Sequence, residues 1–428
     1  MKQQVYIGYR CFCKGEIILL TTVVSTTIKK LENGSIVSPK GFLTSGVHAG
    51  LRQAKKDLGV LMCEVPASCG AVYTQSHFQA APLKVTQESI ATENKLQALI
   101  VNSACANACT GEQGLLDAYK MRELTAKQLG ISEHLVAVSS TGVIGELLQM
   151  DKIAAGIKML QPTNSQEAAL DFQTAILTTD LVMKNACYQT EINGKVVTFG
   201  GAAKGSGMIH PNMATMLAYI TTDANIDSDT LQMATKQATD VSFNQITVDG
   251  ETSTNDTVLV MASGLAENNP LSPEHPEWDK FIAALQLTFE DLAKQIARDG
   301  EGATKLVEVK VSGAVTENEA RIIAKRIVGS NLVKTAMYGA DANWGRIIQA
   351  IGQSSATINP DNVDVSIGSF EMLKKSQPVK FSEKLAKEYL SGTYVKIAVD
   401  LHLGDGEGIA WGCDLSYDYV KINASYRT

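Results

Sequence analysis

At 428 residues with 45% hydrophobic side chains, the chain is long enough to bury one large core or two to three ordinary ones. A formal charge of -7, from 38 Lys and Arg against 45 Asp and Glu, comes with no basic run or aromatic-basic alternation, so nucleic acid is not an expected partner. No stretch approaches the roughly 20 apolar residues of a membrane span, and the expectation is a soluble, cytoplasmic protein with no membrane partner.

Residues 1–35 read as a variable N-terminal segment, with disorder, an added extension or an upstream start left open as its meaning. The apolar stretch Ile17–Val24, between Lys14 and Lys29-Lys30, is short for a signal peptide, and no clean small-residue cleavage site follows it. Beyond it, helical and strand periods alternate with only 10 prolines and no internal repeat, so the fold class is α/β. The polar cluster Asn102–Gly111 comes first. After the apolar run Leu135–Val138 follows the small-residue loop Ser139–Gly145, which can aim backbone N–H groups and the Thr141 hydroxyl at one oxyanion. Segments of that kind are common, and most are structural.

Asn193-Gly194, between CYQTEI and KVVTFG, predicts a β-hairpin, because Asn-Gly accepts the positive φ angles of a type I′ turn. The hairpin leads into KGSGMIHPNMATML, residues 204–217. Glycines at 205 and 207 let backbone approach a ligand closely, and Lys204 can hold a carboxylate or polarise an acyl oxygen. The segment lacks the frame of a P-loop, so a nucleotide cradle is not expected. MLAYITT predicts a short strand bounded by Asp223, which would fix a Thr215 nucleophile on rigid backbone. Ala214-Thr215 is a junction the chain can cut for itself: a threonine freed as an N-terminus carries a nucleophile and, in its own α-amine, a general base.

Thr230–Thr239 predicts a helix. Trp278, Phe281, Ile282, Leu285, Phe289, Leu292 and Ile296 recur at three- and four-residue spacing, predicting an amphipathic helix that ends at Asp299-Gly300-Glu301-Gly302. Asp249–Asp256 slightly resembles a calcium loop but lacks the EF-hand spacing and closing Glu, so turn chemistry is expected. Glu267–His275, with two prolines, reads as a surface loop. Leu306–Val311 and Val395–Leu403 alternate like half-buried strands, and Ser382 is placed to cap a helix through Leu390. Tyr338–Arg346, like Asn102–Gly111 and Asp249–Asp256, has the composition of close-packed loops that recognise polar small molecules.

The eight cysteines contain no CxxC pair and no repeated ligand spacing, and no zinc is expected. The six histidines form no HExxH and fall in no Ser/His/Asp frame, which disfavours a histidine-based triad.

Taken in order, SPKGF (38–42), SSTGVIG (139–145), AILTTD (175–180), KGSGMIHPNMATML (204–217), VDGETSTNDT (248–257), ARDGEGATK (297–305), YGADANWGRI (338–347) and NASYRT (423–428) resemble the ornithine acetyltransferase (glutamate N-acetyltransferase) family of arginine biosynthesis. The resemblance implies an α/β layered sandwich that looks like N-terminal-nucleophile hydrolases with distinct connectivity. It also implies self-cleavage between Ala214 and Thr215 into an alpha chain, 36–214, and a beta chain, 215–428, associated as a heterotetramer of two of each. Thr215 is then the nucleophile, Thr141 and Gly142 form the oxyanion hole, and Thr178, Lys204, Thr215, Glu301, Asn423 and Thr428 contact substrate.

The implied reaction is ping-pong: Thr215 takes acetyl from N-acetylornithine as an ester and passes it to glutamate, while the Thr215 α-amine shuttles the proton. Lys204 and Glu301 suit the carboxylate and ammonium groups of such substrates, and the Thr428 carboxylate is a second anion. No bound cofactor is implied. The pattern looks most like bifunctional members, which also take acetyl from acetyl-CoA as a co-substrate. Competing readings are a monofunctional ornithine acetyltransferase, a self-cleaving aminopeptidase of related architecture, and an uncleaved small-molecule-binding protein.

Overall fold

A computed structural model describes residues 9–13, 16–20, 28–210 and 216–425. Near the start, β1 (Tyr9–Cys13) and β2 (Glu16–Leu20) pair antiparallel with each other. A nine-stranded sheet then uses β3 (Lys29–Lys30), β4 (Phe42–Val47), β5 (Leu58–Tyr73), β6 (Lys95–Asn102), β7 (Val136–Ser140), β8 (Lys184–Ile192), β9 (Lys195–Lys204) and β10 (Leu217–Thr222). After β11 (Ile246–Thr247), β12 (Thr257–Ala262) completes it, in the order β3-β8-β9-β10-β12-β5-β6-β7 with β4 on β5. A seven-stranded sheet joins β11 to β13 (Leu306–Ala314), β14 (Asp364–Ile367), β15 (Phe370–Lys374), β16 (Gln377–Pro378), β17 (Tyr394–Asp400) and β18 (Gly406–Cys413).

Strand β10 shows why the molecule is layered. Every one of its residues is buried, so both faces of the sheet must be covered. Ala218 and Ile220 point into the core shared with the helices Ser228–Val241 and Trp278–Arg298, while Leu217 and Tyr219 point into the opposite core. There the Tyr219 ring lies 5.9 Å from that of Phe172, on the helix Gln166–Ile176. The first core also takes Ile246 and Trp411 from the smaller sheet, so the two helices form a shared layer between the sheets. This is the α/β layered sandwich expected.

Local signals hold up well. The Asn193-Gly194 turn joins β8 to β9 in antiparallel register, with φ of 51° and 70°. The apolar stripe from Trp278 forms the helix Trp278–Arg298, and the hydroxyl of Ser382 accepts from Leu385 N to cap Glu383–Leu390. The strand expected to reach Leu403 stops at Asp400. The boundary expected at residue 35 moves toward the N-terminus. Lys29 and Lys30 pair with Gln189 and Tyr188, Leu31 N donates to Cys187 O, and Ser35 and Ile36 are buried. The packed structure therefore includes residues 28–35.

Phe172 is fully buried between β5 and Tyr219. Phe172→Ala is expected to cost about 3–5 kcal/mol through lost burial and a residual cavity, seen as a clear fall in Tm. An unchanged Tm would contradict this account of the core.

Candidate active site

Strand ends build the site. After β7, residues 141–145 run alongside residues 102–108 in the same direction. Thr141 N donates to Asn102 O at 3.0 Å, Val143 N to Ala104 O at 3.0 Å and Gly145 N to Ala108 O at 3.0 Å. Thr141 N and Val143 N are committed to the neighbouring segment, whereas no backbone hydrogen bond among the described residues uses the Gly142 N–H. Position 142 requires glycine: its φ is +133°, and a Cβ there would lie 2.2 Å from the Ala104 carbonyl carbon.

A buried amide locks this turn to the next one. Asn255 Nδ2 donates to Ala106 O at 2.6 Å and to Ser140 O at 2.8 Å, and the Thr254 hydroxyl donates to Asn255 Oδ1 at 2.7 Å. The turn 253–256 is thereby fixed beside the Gly142 backbone.

Lys204 is the last residue of β9 rather than part of the loop after it, and it pairs with Leu217 at the start of β10. Its Nζ donates to the Thr178 hydroxyl at 3.3 Å. Behind it lies a buried charge network. Lys184 Nζ sits 2.6 Å from Asp180 Oδ1 and 2.6 Å from Asp299 Oδ2, with the Lys184 and Asp180 side chains fully buried. Asp180 also accepts from Gly205 N at 2.7 Å and from Thr178 N at 3.0 Å, while Asp299 accepts from Leu181 N at 3.1 Å. Burial alone would raise the Asp180 carboxyl, but the Lys184 and Lys204 charges and these donors hold it below its ordinary value. Burial lowers the Lys204 ammonium, opposed by Asp180, Asp256 and Glu301.

The same network delivers Glu301. Ser206 Oγ donates to Asp299 O at 2.7 Å, and Glu301 N donates to Ser206 O at 3.0 Å. A Cβ on Gly207 would lie 2.4 Å from the Glu301 carboxyl carbon. Gly207 thus makes room for the protein's own carboxylate, and it also lines the cavity these residues surround. Asn423, on the helix Tyr417–Ser425, donates to Glu301 Oε2 at 2.9 Å. That helix is tied down where Ser416 Oγ donates to Gly302 O at 2.6 Å.

Thr141, Gly142, Thr178, Lys204, Glu301 and Asn423 line one cavity of about 130 Å³. Ala214, Thr215 and Thr428 lie outside the described residues. Apolar wall comes from Ala106, Ile144, Ile209, Met216 and Leu217, and further polar wall from Thr179, Ser253, Asn255 and Asp256. A free backbone donor, one ammonium and two carboxyls around a small, partly apolar space can orient a charged small molecule and stabilise an oxyanion.

Sequence reasoning gave no role to Asp180, Lys184 or Asp299, whereas Asn255 and Asp256 fall in the cluster 249–256 whose composition suits recognition of a polar small molecule. Asp180 and Lys184 share a four-residue spacing, but nothing local pairs them with Asp299. The cluster Tyr338–Arg346 does not line this cavity; Arg346 Nη1 instead donates to Leu332 O at 2.8 Å, bracing adjacent helices. His210 Nδ1 lies 3.0 Å from Thr247 Oγ1, and burial pulls its imidazole down to about 4.

Removing the central cation should be costly. Lys184→Ala leaves two buried carboxylates uncompensated and is expected to lower unfolding free energy by about 3–5 kcal/mol, measured by urea denaturation. Because the Asp180 pKa is depressed on folding, its stabilisation is present above about pH 4, the ordinary unfolded value, and is lost as pH falls through the folded value. Urea midpoints measured from pH 6 down to pH 2 should therefore fall less steeply in Asp180→Asn than in the wild type.

The ArgJ family model matches residues 43–428. The arginine biosynthesis bifunctional protein ArgJ of Geobacillus kaustophilus is 70% identical over 410 residues, covering 96% of this chain and 100% of that protein. Its counterpart from Bacillus subtilis is 64% identical over 395 residues, 92% of this chain and 97% of that protein. Among solved structures, ornithine acetyltransferase from Mycobacterium tuberculosis, complexed with ornithine, is 34% identical, covers 44% of this chain and 100% of that one, and gives a TM-score of 0.41. On the family match and the full-length identity, the chain belongs to the ArgJ family.

Proposed function

We propose that this chain is a self-processing acetyltransferase of arginine biosynthesis. It moves acetyl from N-acetylornithine to glutamate, giving ornithine and N-acetylglutamate, and also makes N-acetylglutamate from glutamate and acetyl-CoA. The observation that carries the reading is the convergence on one cavity of Thr141, Gly142, Thr178 and Lys204 with Glu301 and Asn423. The first four precede position 214 and the other two follow it. Relatives 60% to 70% identical are named arginine biosynthesis bifunctional protein, which supports a reading with two activities.

In this mechanism the chain cuts itself after Ala214, and Thr215, now N-terminal, attacks the acetyl carbonyl of the donor. The Gly142 N–H and the Thr141 side of the turn stabilise the tetrahedral oxyanion, a contribution of about 2.7–4 kcal/mol per donor. Collapse releases ornithine and leaves an acetyl ester on Thr215, and the glutamate amine attacks that ester in the second half of the cycle. Lys204 meets a substrate carboxylate. Glu301, held by Asn423, meets an ammonium group, with the Thr428 carboxylate as a second anion. The apolar wall takes the acetyl methyl. No bound cofactor is used. Two alpha and two beta chains assemble as a heterotetramer in the cytoplasm; no helix among the described residues is long and apolar enough to cross a membrane.

Intact-mass analysis with N-terminal sequencing is expected to find a chain beginning Thr215-Met216-Leu217. A fully active uncut chain would overturn the proposal. Purified protein should form N-acetylglutamate from glutamate with either N-acetylornithine or acetyl-CoA, and failure with acetyl-CoA alone would restrict it to the first reaction. Gly142→Ala adds a side chain where backbone already stands. It should lower the acetyl-transfer rate by at least about 10²–10³-fold, the effect of losing one oxyanion donor.

A further inference from the structure

One stretch of chain, residues 247–257, holds both flanks of the Ala214-Thr215 junction. At one end it grips the residues that lead into the junction. Asp249 Oδ2 accepts from Met208 N at 2.7 Å and Asp249 Oδ1 from Ile209 N at 2.8 Å. Val248 N donates to Ile209 O at 2.7 Å, and the Thr252 hydroxyl donates to His210 O at 3.2 Å. At the other end Thr257 N donates to Met216 O at 3.0 Å, just past the junction. Between these ends Asn255 grips the carbonyls of Ala106 and Ser140 beside the Gly142 turn.

Met208 is the strained point of this grip. Its φ is +56°, in the left-handed region that few side chains other than Asn and Asp enter. Such backbone persists only where its surroundings hold it, and it concentrates at functional sites. The two Asp249 oxygens take the successive N–H groups of Met208 and Ile209, and the Tyr419 hydroxyl donates to the same carboxylate at 3.4 Å. Tyr419 stands on the helix that carries Asn423. The downstream flank is fixed by sheet register, with Leu217 between Lys204 and Thr257. The upstream flank has no such strand partner and is anchored by this carboxylate instead.

We propose that Asp249 is a positioning residue for self-cleavage, holding the left-handed turn at Met208 and with it the upstream arm of the junction; the inference rests on the self-processing reading. In that reaction Thr215 Oγ bonds to the Ala214 carbonyl carbon, the C–N bond breaks with its electron pair going to the Thr215 nitrogen, and that nitrogen receives the hydroxyl proton. Water then splits the ester, leaving a carboxyl on Ala214 and the hydroxyl on Thr215. Asp249 takes no part in these bonds. It acts through the chain, because an attack of one hydroxyl on one carbonyl loses about 10²-fold when the two are misplaced by about 1 Å.

Cleavage is followed in the full chain by a pulse of labelled methionine during cell-free synthesis and then a chase, with trypsin resistance of the uncut chain reporting that it has folded. In Asp249→Ala conversion is expected to slow by about 100-fold. Adding Met208→Gly to that variant should speed conversion by about tenfold or more, because glycine adopts positive φ without a carboxylate to hold it there. Conversion within about threefold of wild type in Asp249→Ala, or a double variant no faster than the single one, overturns the proposal. If the Asp249→Ala chain is trypsin-sensitive, the rate is read from Asp249→Asn, which keeps one acceptor oxygen and loses the other. There a slowing of about tenfold or more supports the role, and a smaller change overturns it. Wild type is measured first: a folded chain that stays uncut would sink the self-processing reading itself, a result distinct from any difference between variants.

Discussion

The arrangement around the cavity depends on one buried cation. Lys184 draws Asp180 and Asp299 to a single point in the interior, and each carboxylate spends its remaining acceptor capacity on backbone N–H groups. Charges taken out of water are tolerated only when their geometry and hydrogen bonding are nearly complete. Three chain segments, 178–184, 204–207 and 299–301, are thereby held in one relative position. Thr178, Lys204 and Glu301 are the residues those segments present to the cavity.

The sheet supplies the second constraint. Lys204, Leu217 and Thr257 lie side by side on three neighbouring strands, so the edge of the cavity follows from register alone. Shifting β10 by one residue would turn Leu217 and Tyr219 into the wrong core and Ala218 and Ile220 into the other. Burial on both faces makes such a slip prohibitive. The site is therefore positioned by the hydrophobic pattern of a strand that contributes only Leu217 to its wall.

What was legible in the sequence was what is encoded locally. Asn193-Gly194 specifies its turn through backbone angles, the stripe from Trp278 specifies a helix through spacing, and Ser382 specifies a helix start. Much of the cavity could be named only because long motifs resemble a family. The charge network was not legible, since Lys184 and Asp299 stand 115 residues apart and nothing near either one marks the other. Tyr338–Arg346 has a loop-like composition, but it spans the end of one helix and the start of the next. The N-terminal boundary was placed too late because two lysines do not resemble a strand until β8 supplies their partners.

The seam between β9 and β10 has a kinetic consequence. These strands are joined by backbone hydrogen bonds from Lys204↔Leu217 to Phe199↔Thr222, and the helix Trp278–Arg298 packs across β8 and β9. If the chain is cut after Ala214, the covalent connection between these elements is lost while the core they share is unchanged. Folding of the precursor is unimolecular, but refolding of the cut protein becomes bimolecular. Its recovery from denaturant would then depend on concentration, with each fragment exposing one side of an unfinished sheet until it meets the other. Cleavage would in this way turn a reversible equilibrium into an assembly whose persistence is governed by how slowly it comes apart.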